Sequence, residues 1–167
     1  INDISALGDP DLAAAVAEAG CPVVLMHSRG PLSSMQRQIA FDDVAVEVTQ
    51  ELGEAVEHAL AYGIAREQIL VDPGIGFGKT ASQNLEILRR LDVLQTLELP
   101  ILIGASRKSF IGEIANSEAT ERLAGSLAAV SWATDHGSAV LRVHDVAETH
   151  QFLAVWHAID SAEGPES

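Results

Sequence analysis

The stretch from Ile69 to Thr80 has the sequence ILVDPGIGFGKT and joins a short apolar run to a glycine-bearing loop that ends in a lysine. The run is apolar until Asp72, which predicts a strand of a parallel sheet that is buried on both faces. The glycines leave the loop backbone free to approach a ligand. In α/β folds the ligand sites lie at the carboxyl ends of such strands, so this stretch predicts both the fold class and the position of a site.

The same strand-then-helix pattern occurs five times along the chain. Apolar runs at 1–4, 22–27, 69–72, 100–104 and 139–144 alternate with amphipathic or alanine-rich stretches near 10–19, 42–62, 84–95, 118–136 and 146–160. This alternation predicts an α/β fold with about five βα units and parallel strands. Five units form either an open doubly wound sheet or part of a (β/α)8 TIM barrel, which takes about 250 residues when complete. We expect residues 1–160 to form this unit and residues 161–167 to be a polar tail that frays.

The composition of the chain narrows the classes of function. The 167 residues carry a formal net charge of −14, which argues against nucleic acid or an anionic membrane as the main partner. No apolar run approaches the roughly 20 residues of a membrane span. The one cysteine, Cys21, excludes an intrachain disulfide and fits the reducing cytoplasm. The chain starts at Ile1 without Met or a signal peptide, so we expect a missing N-terminal portion.

Cations are scarce, and both lysines follow predicted strands in glycine-bearing segments. This placement of Lys79 and Lys108 predicts a polar or anionic small molecule at the strand ends. A nucleotide phosphate-binding loop is excluded, because its first glycine would fall at position 73, which is proline. Lys79 is then either solvated in a flexible turn or involved with a ligand. Asp72 would be costly to bury unpaired, so we expect it to accept hydrogen bonds from a ligand or from neighbouring loops.

Two further segments place polar side chains at strand ends. In the first, Lys108 follows the fourth strand and is expected to donate to a carbonyl or a ring nitrogen. Arg107 either pairs with a carboxylate or is a surface residue that opens a short helix. In the second, Arg142 and His144 alternate on the fifth predicted strand and would point to the same side, where they form a clamp for phosphate or pyrophosphate.

The end of the second strand offers weaker candidates. Met26 is expected to supply apolar surface for a ring. His27 is either catalytic or packed under a loop. No cluster of Cys and His predicts a zinc site, and Cys21 precedes a strand at the opposite end from the expected site.

Taken together, the segments resemble the dihydropteroate synthase family. The resemblance rests on residues 72–79 (DPGIGFGK), 106–112 (SRKSFIG) and 142–146 (RVHDV), supported by 1–4 (INDI) and 25–27 (LMH) in the same order. It implies an eight-stranded βα barrel that works as a homodimer. It also implies condensation of 6-hydroxymethyl-7,8-dihydropterin pyrophosphate with p-aminobenzoate to give dihydropteroate and pyrophosphate, with the help of Mg²⁺.

The resemblance also implies roles for particular residues. Asn2, Asp72 and Lys108 would hydrogen-bond the pterin ring. Met26, Phe77 and Gly104 would shape its pocket. Ser106 would lie near p-aminobenzoate. Arg142 and His144 would hold the pyrophosphate, and these two residues together with Lys108 are the expected catalytic residues.

The chain departs from the family pattern at its start. The match begins at the family's fourth strand, so three strands are absent, and with them the asparagine that contacts the metal. No metal-binding residue is therefore assigned here, and the fragment alone is expected to be inactive. Two alternatives stay open: a non-catalytic half-barrel that acts as an interaction domain, and a pterin-binding barrel of the methyltetrahydrofolate–corrinoid methyltransferase type. The second alternative has no evident need for the clamp formed by Arg142 and His144.

Overall fold

The fold is taken from a computed structural model, which describes residues 1–29 and 40–161. Its five strands are β1 (Asn2–Asp3), β2 (Val23–Met26), β3 (Ile69–Asp72), β4 (Ile101–Ile103) and β5 (Ser138–Leu141). Its α-helices are α1 (Pro10–Ala19), α2 (Val44–Ala61), α3 (Ala81–Arg89), α4 (Leu91–Gln95), α5 (Ser109–Ala115), α6 (Leu123–Asp135) and α7 (Val146–Ser161). Short 3₁₀ turns cover Arg66–Gln68 and Ala119–Glu121. Residues 162–167 lie outside the described residues, so the fraying of the tail stays a prediction.

The strand order distinguishes between the two architectures that the sequence left open. The strands pair in parallel in the order β1-β2-β3-β4-β5, without the reversal that a doubly wound sheet requires. The sheet is also curved, because the Arg142 side chain, which directly follows β5, donates to Asn2 Oδ1 on β1 at 2.9 Å. Sequential order and curvature together identify five consecutive units of a (β/α)8 barrel.

Aliphatic side chains form most of the buried core. The strands contribute Val23, Leu25, Ile69, Val71, Ile101 and Ile103, each at most 1% exposed. Helix α2 packs its buried face, which includes Val48 and Leu52, on the outside of the sheet. This layered packing fixes the strand ends, from which the polar loops emerge.

The helices differ from the predicted stretches in ways that local capping explains. The stretch predicted near 84–95 is two helices, and the first begins three residues early. Thr80 and Gln83 form a capping box there, so helix α3 starts at Ala81, directly after Thr80. Helix α5 is the short helix that one of the alternatives for Arg107 predicted, and it opens directly after Lys108. The stretch predicted at 118–136 is a 3₁₀ turn followed by α6, which begins only at Leu123.

The predicted extension of the fifth strand to His144 is wrong. Strand β5 ends at Leu141, although the Arg142 backbone N–H still donates to the Ile103 carbonyl. The chain must turn here, because α7 begins at Val146. Arg142 and His144 therefore lie in a loop, where strand alternation does not align their side chains.

Strand β5 and helix α7 retain exposed apolar surface. Val140 on the strand is 38% exposed, and Val155 and Ile159 on the helix are 57% and 73% exposed. Within the described part of the chain, no helix has the length and apolar character needed to cross a membrane.

Candidate active site

The centre of the candidate site is the Asp72 carboxylate, which is 0% exposed at the end of β3. Its Oδ1 accepts a hydrogen bond from the Gly74 N–H at 2.8 Å, and its Oδ2 accepts one from Arg142 Nη2 at 2.8 Å. The expectation that Asp72 accepts hydrogen bonds from neighbouring loops is therefore confirmed. The same guanidinium donates to Asn2, so Arg142 connects two residues that the resemblance assigned to the pterin.

The loop that follows Asp72 requires glycine at position 74. Gly74 has φ +68°, and a Cβ built on it would lie 1.9 Å from the His27 carbonyl oxygen. This close approach packs the loop against the end of β2. Gly104 serves a similar purpose at the end of β4, since a Cβ there would lie 2.5 Å from Arg142 Nη2. Both glycines make room for groups that converge on Asp72.

Lys79 is buried beneath this loop and is 4% exposed, so the alternative of a solvated lysine is wrong. Its Nζ lies 3.1 Å from the Gly74 carbonyl oxygen, 3.0 Å from that of Phe77 and 2.9 Å from His27 Nδ1. Burial lowers the pKa of Lys79 to about 7, against the opposing attraction of Asp72. The side chain therefore holds the loop from below.

His27 is packed under the loop, which is one of its two predicted alternatives. It is 4% exposed, and its Nε2 lies 2.9 Å from a carboxylate oxygen of Glu51 on α2. Burial and the neighbouring Lys79 lower the pKa of His27 to about 4. The neutral imidazole then carries its proton on Nε2, donates to Glu51 and accepts from Lys79 at Nδ1.

Arg29 closes this polar network on its outer side. Its guanidinium donates to both Glu51 and Glu47 on α2. Although burial opposes the effect, the hydrogen bond from Arg29 lowers the pKa of Glu51. The carboxylate therefore stays charged and orients His27.

Lys108 faces the loop from the opposite side. Its Nζ lies 4.1 Å from the centroid of the Phe77 ring, a cation–π contact. Burial and the nearby Arg142 lower the pKa of Lys108. Its side chain is only partly buried, so Lys108 borders the site while Lys79 lies beneath it.

The loop before α5 is held by Arg107, whose predicted pairing with a carboxylate is confirmed. Arg107 Nε donates to Asp145 Oδ2 at 3.0 Å, and Nη2 donates to Oδ1. The ion pair lowers the pKa of Asp145. Arg122 supports the same loop by donating to the carbonyl oxygens of Arg107 and Lys108. Arg107 has φ +57°, so these contacts stabilise a strained backbone.

His144 contacts Ser106 rather than Arg142. Its backbone N–H donates to Ser106 Oγ at 3.2 Å, and its Nδ1 lies 3.0 Å from the same oxygen. Ser106 is 5% exposed.

Met26 lies beside Asp72 in the register of β2 and β3 and is 1% exposed. All of the predicted site residues thus lie at the carboxyl edge of the sheet, in three contacting groups around Asp72, Phe77 and Ser106.

Sequence reasoning missed several residues that support these groups. Asn84 on α3 is 1% exposed, and its Oδ1 accepts from the Gly76 N–H at 2.8 Å. Asn84 lies three and four residues before Ile87 and Leu88, which are both buried. This spacing places the amide on the apolar face of the helix, and it is the sequence signal from which the burial of Asn84 could have been predicted. Glu51 lies on a helix 24 residues from His27, and no local pattern connects the two.

A curved parallel sheet with a buried carboxylate, an amide and cations at its carboxyl edge defines a barrel protein with a site for a polar small molecule. The family model described as "Pterin binding enzyme" matches residues 1–144. The chain therefore belongs to the pterin-binding enzyme family, which confirms the family resemblance of the sequence.

Similar proteins agree with this assignment. Dihydropteroate synthase of Escherichia coli strain K12 is 44% identical over 163 residues, which are 98% of this chain and 58% of that protein. A structure of Xanthomonas albilineans dihydropteroate synthase with 4-aminobenzoic acid has a TM-score of 0.90 and 42% identity, and the match covers 99% of this chain and 58% of that one. The same enzyme in complex with 7,8-dihydropteroate has a TM-score of 0.88 at 42% identity, covering 99% and 60% of the two chains. The chain thus spans about 58% of the length of such relatives.

Proposed function

We propose that this chain provides the pterin-binding part of a dihydropteroate synthase. The proposed reaction joins 6-hydroxymethyl-7,8-dihydropterin pyrophosphate to p-aminobenzoate and releases pyrophosphate. The observation that carries the proposal is the fully buried Asp72 at a strand end, in a chain of the pterin-binding enzyme family. Support for the substrates comes from similar enzymes whose structures hold 4-aminobenzoic acid and 7,8-dihydropteroate.

In the proposed complex the pterin ring lies over Asp72. A pterin carries ring N–H and amino donors, and a buried carboxylate is a strong acceptor for them. Asn2 and Lys108 would complete the polar contacts, while Phe77 and Met26 would supply apolar surface. Gly104 leaves space for the Arg142 side chain, because a Cβ at position 104 would lie 2.5 Å from Arg142 Nη2.

The proposed anion-binding residues lie at the edge of the same pocket. Arg142 donates to Asp72 and Asn2 in this structure, so pterin binding would exchange these bonds for bonds to the ligand. The released guanidinium would then hold the pyrophosphate together with His144. Ser106, which contacts His144, would lie near p-aminobenzoate.

The proposed chemistry is a displacement at the pterin methylene carbon. The arylamine nitrogen forms a bond to this carbon, the bond to the pyrophosphate oxygen breaks, and the nitrogen loses a proton. The weakly basic arylamine needs no strong general base. The harder task is to stabilise the negative charge of the leaving pyrophosphate, which we assign to Arg142 and His144. Asp72 and Lys108 position the ring.

Magnesium is part of this proposal only through the family resemblance. Among residues 1–29 and 40–161, no group of three or more His, Cys, Asp or Glu side chains is arranged to hold a metal ion. No step of the proposed reaction depends on the ion. We also propose a cytoplasmic location, which rests on the lone cysteine.

A binding titration separates the proposed function from its alternatives. We expect isothermal titration calorimetry of the chain with dihydropterin pyrophosphate to give saturable 1:1 binding, and methyltetrahydrofolate to bind more weakly. A non-catalytic interaction domain should show no saturable binding of either ligand. A methyltransferase-type barrel should prefer methyltetrahydrofolate. The chain alone is expected to form no dihydropteroate, and product formation in a magnesium-supplemented assay would contradict that expectation.

We propose a homodimer on the outer face of the helices. Helices α3, α5 and α6 border an apolar groove of about 450 Å³. Leu85, Ile114 and Trp132 line it and are 42%, 64% and 45% exposed. This is more apolar surface than a solvated helix face requires. The opposite face of α6 packs inward through Ala129, Val130 and Ala133, which are buried.

Ile114→Glu tests this contact. We expect sedimentation velocity to show a dimer for the unchanged chain and a monomer for the variant, because a charge buried in an apolar contact is costly. Val155→Glu on α7 is the matched control, since it adds the same charge to a similarly exposed apolar position, 57% against 64% for Ile114. Dissociation by the control alone would place the contact elsewhere, and a monomeric unchanged chain would refute the dimer.

A further inference from the structure

The buried ammonium group of Lys79 has a contact for each of its three hydrogens. A lysine carries three donors and no acceptor. Three acceptors surround it, namely His27 Nδ1, the Gly74 carbonyl oxygen and the Phe77 carbonyl oxygen, all within 3.1 Å. The neutral His27 is free to accept at Nδ1 because its Nε2 proton is directed at Glu51. Only the charged form of Lys79 satisfies all three acceptors.

Two of these acceptors lie in the loop of residues 73–78, on both sides of Gly76. The loop has φ +68°, +83° and +61° at its three glycines. Glycine adopts positive and negative φ about equally well, so these residues do not by themselves favour this one loop conformation. Its outer side presents Phe77 to Lys108. Its shape therefore depends on contacts from below, which Lys79 supplies together with Asn84.

We propose that the Lys79 ammonium group is a positioning element for the pterin: by donating to His27, Gly74 and Phe77 it fixes the loop so that Phe77 and Lys108 face the ring, and loss of its third hydrogen loosens that loop. This inference rests on the proposed function. Lys79 itself is separated from the ligand by the loop, so it acts through Phe77 and not by contact. It differs from Lys108, which borders the pocket.

The charges around Lys79 decide when it carries its third hydrogen. The groups that face it from the surrounding elements are His27, Arg29, Glu51, Asp72 and Lys108. Burial outweighs the attraction of the two carboxylates and brings the pKa of Lys79 to about 7. The unfolded chain keeps the ordinary lysine pKa, so between pH 7 and about 10.4 it binds more protons than the folded chain. Global stability should therefore rise with pH over this range, while the loop loosens.

Lys79→Met tests the inference, because methionine has a similar length and no donor. We expect the affinity for dihydropterin pyrophosphate to fall about tenfold or more, as expected when hydrogen bonds to a charged group are lost. Hydrogen exchange at the Gly76 and Phe77 amides should accelerate at least tenfold. The melting temperature should fall, because His27 Nδ1 and the two carbonyl oxygens lose their buried donor. Arg89→Met, which removes an exposed cation from α3, should change neither the affinity nor the exchange.

A pH series on the unchanged chain gives a second test that does not depend on the variant folding. From pH 6 to 8.5 the affinity should fall and the two amides should exchange faster than their intrinsic rates predict. The pH dependence of the affinity should be much smaller in Lys79→Met. Any pH dependence that remains in this variant measures the titration of the ligand itself. Unchanged affinity and exchange in the variant, or a flat pH series in the unchanged chain, would overturn the inference. Absence of pterin binding to the unchanged chain would refute the proposed function instead, and the exchange measurements would still decide the role of Lys79.

Discussion

Replacing Asp72 with asparagine is expected to weaken binding of dihydropterin pyrophosphate by about 100-fold. The two carboxylate oxygens accept from different donors, the Gly74 N–H and Arg142 Nη2. In the proposed complex the pterin donors replace Arg142 at the carboxylate. An asparagine has one acceptor oxygen and one NH₂ group, so either rotamer would place its NH₂ group against the Gly74 N–H or against the pterin donors. Hydrogen bonds that involve a charged group are worth about 1.5–3 kcal/mol each, and 3 kcal/mol corresponds to about 100-fold in affinity. The loss should be visible by calorimetry.

Asp92→Asn provides the matched control, because Asp92 is an exposed carboxylate in the first turn of α4. The control should bind as the unchanged chain does. Unfolding of Asp72→Asn by urea should also show a loss of stability, since Arg142 loses a charged partner. If Asp72→Asn bound the pterin with unchanged affinity while remaining folded, the carboxylate would not be the recognition group.

The second large effect is expected for Gly74→Ala. An added Cβ would lie 1.9 Å from the His27 carbonyl oxygen, and neither group belongs to a flexible side chain. The loop or the end of β2 must therefore shift. The left-handed backbone of Gly74 adds about 1–2 kcal/mol for any residue with a Cβ. We expect a total loss of more than about 3 kcal/mol in the free energy of unfolding, together with a loss of pterin binding.

Gly63→Ala separates the two causes. Gly63 also has a positive φ, +87°, but nothing lies within 4 Å of the position of its Cβ. Its loss in denaturant unfolding should be about 1–2 kcal/mol, which is the backbone strain alone. Equal losses at the two positions would show that the loop does not pack against His27 as described here.

Much of the fold could be predicted from the sequence because its signals are local. Continuous aliphatic runs such as the one that ends at Asp72 predict buried parallel strands, and all five predicted strands are present. Gly20 has a left-handed backbone and ends α1 at Ala19, where the predicted stretch 10–19 also ends. The strand ends were harder to predict: the run that continues to His144 is broken after Leu141, because the chain turns to enter α7. The position of that turn depends on how α7 packs, and the apolar sequence from 139 to 144 does not encode it.

The position of the site could be predicted from the sequence, but the hydrogen bonds between its residues could not. Strand ends at the carboxyl edge of a parallel sheet converge in any barrel, so the cluster of Asp72, Lys108 and Arg142 follows from the pattern. The bond between Arg142 and Asn2 joins residues 140 positions apart and exists only because the sheet curves. The burial of Lys79 could not be predicted either, because a lysine beside glycines has the same local sequence pattern whether it is buried or solvated.

The central claim is that a pterin binds against Asp72 at the carboxyl edge of the sheet. The most direct measurement is a ¹H–¹⁵N correlation spectrum of the chain titrated with dihydropterin pyrophosphate. We predict saturable shifts concentrated at residues 72–79, 104–108 and 142–144, with the amides of α1 and α4 unchanged. Shifts confined to the outer helices, or no shifts at millimolar ligand, would contradict the claim.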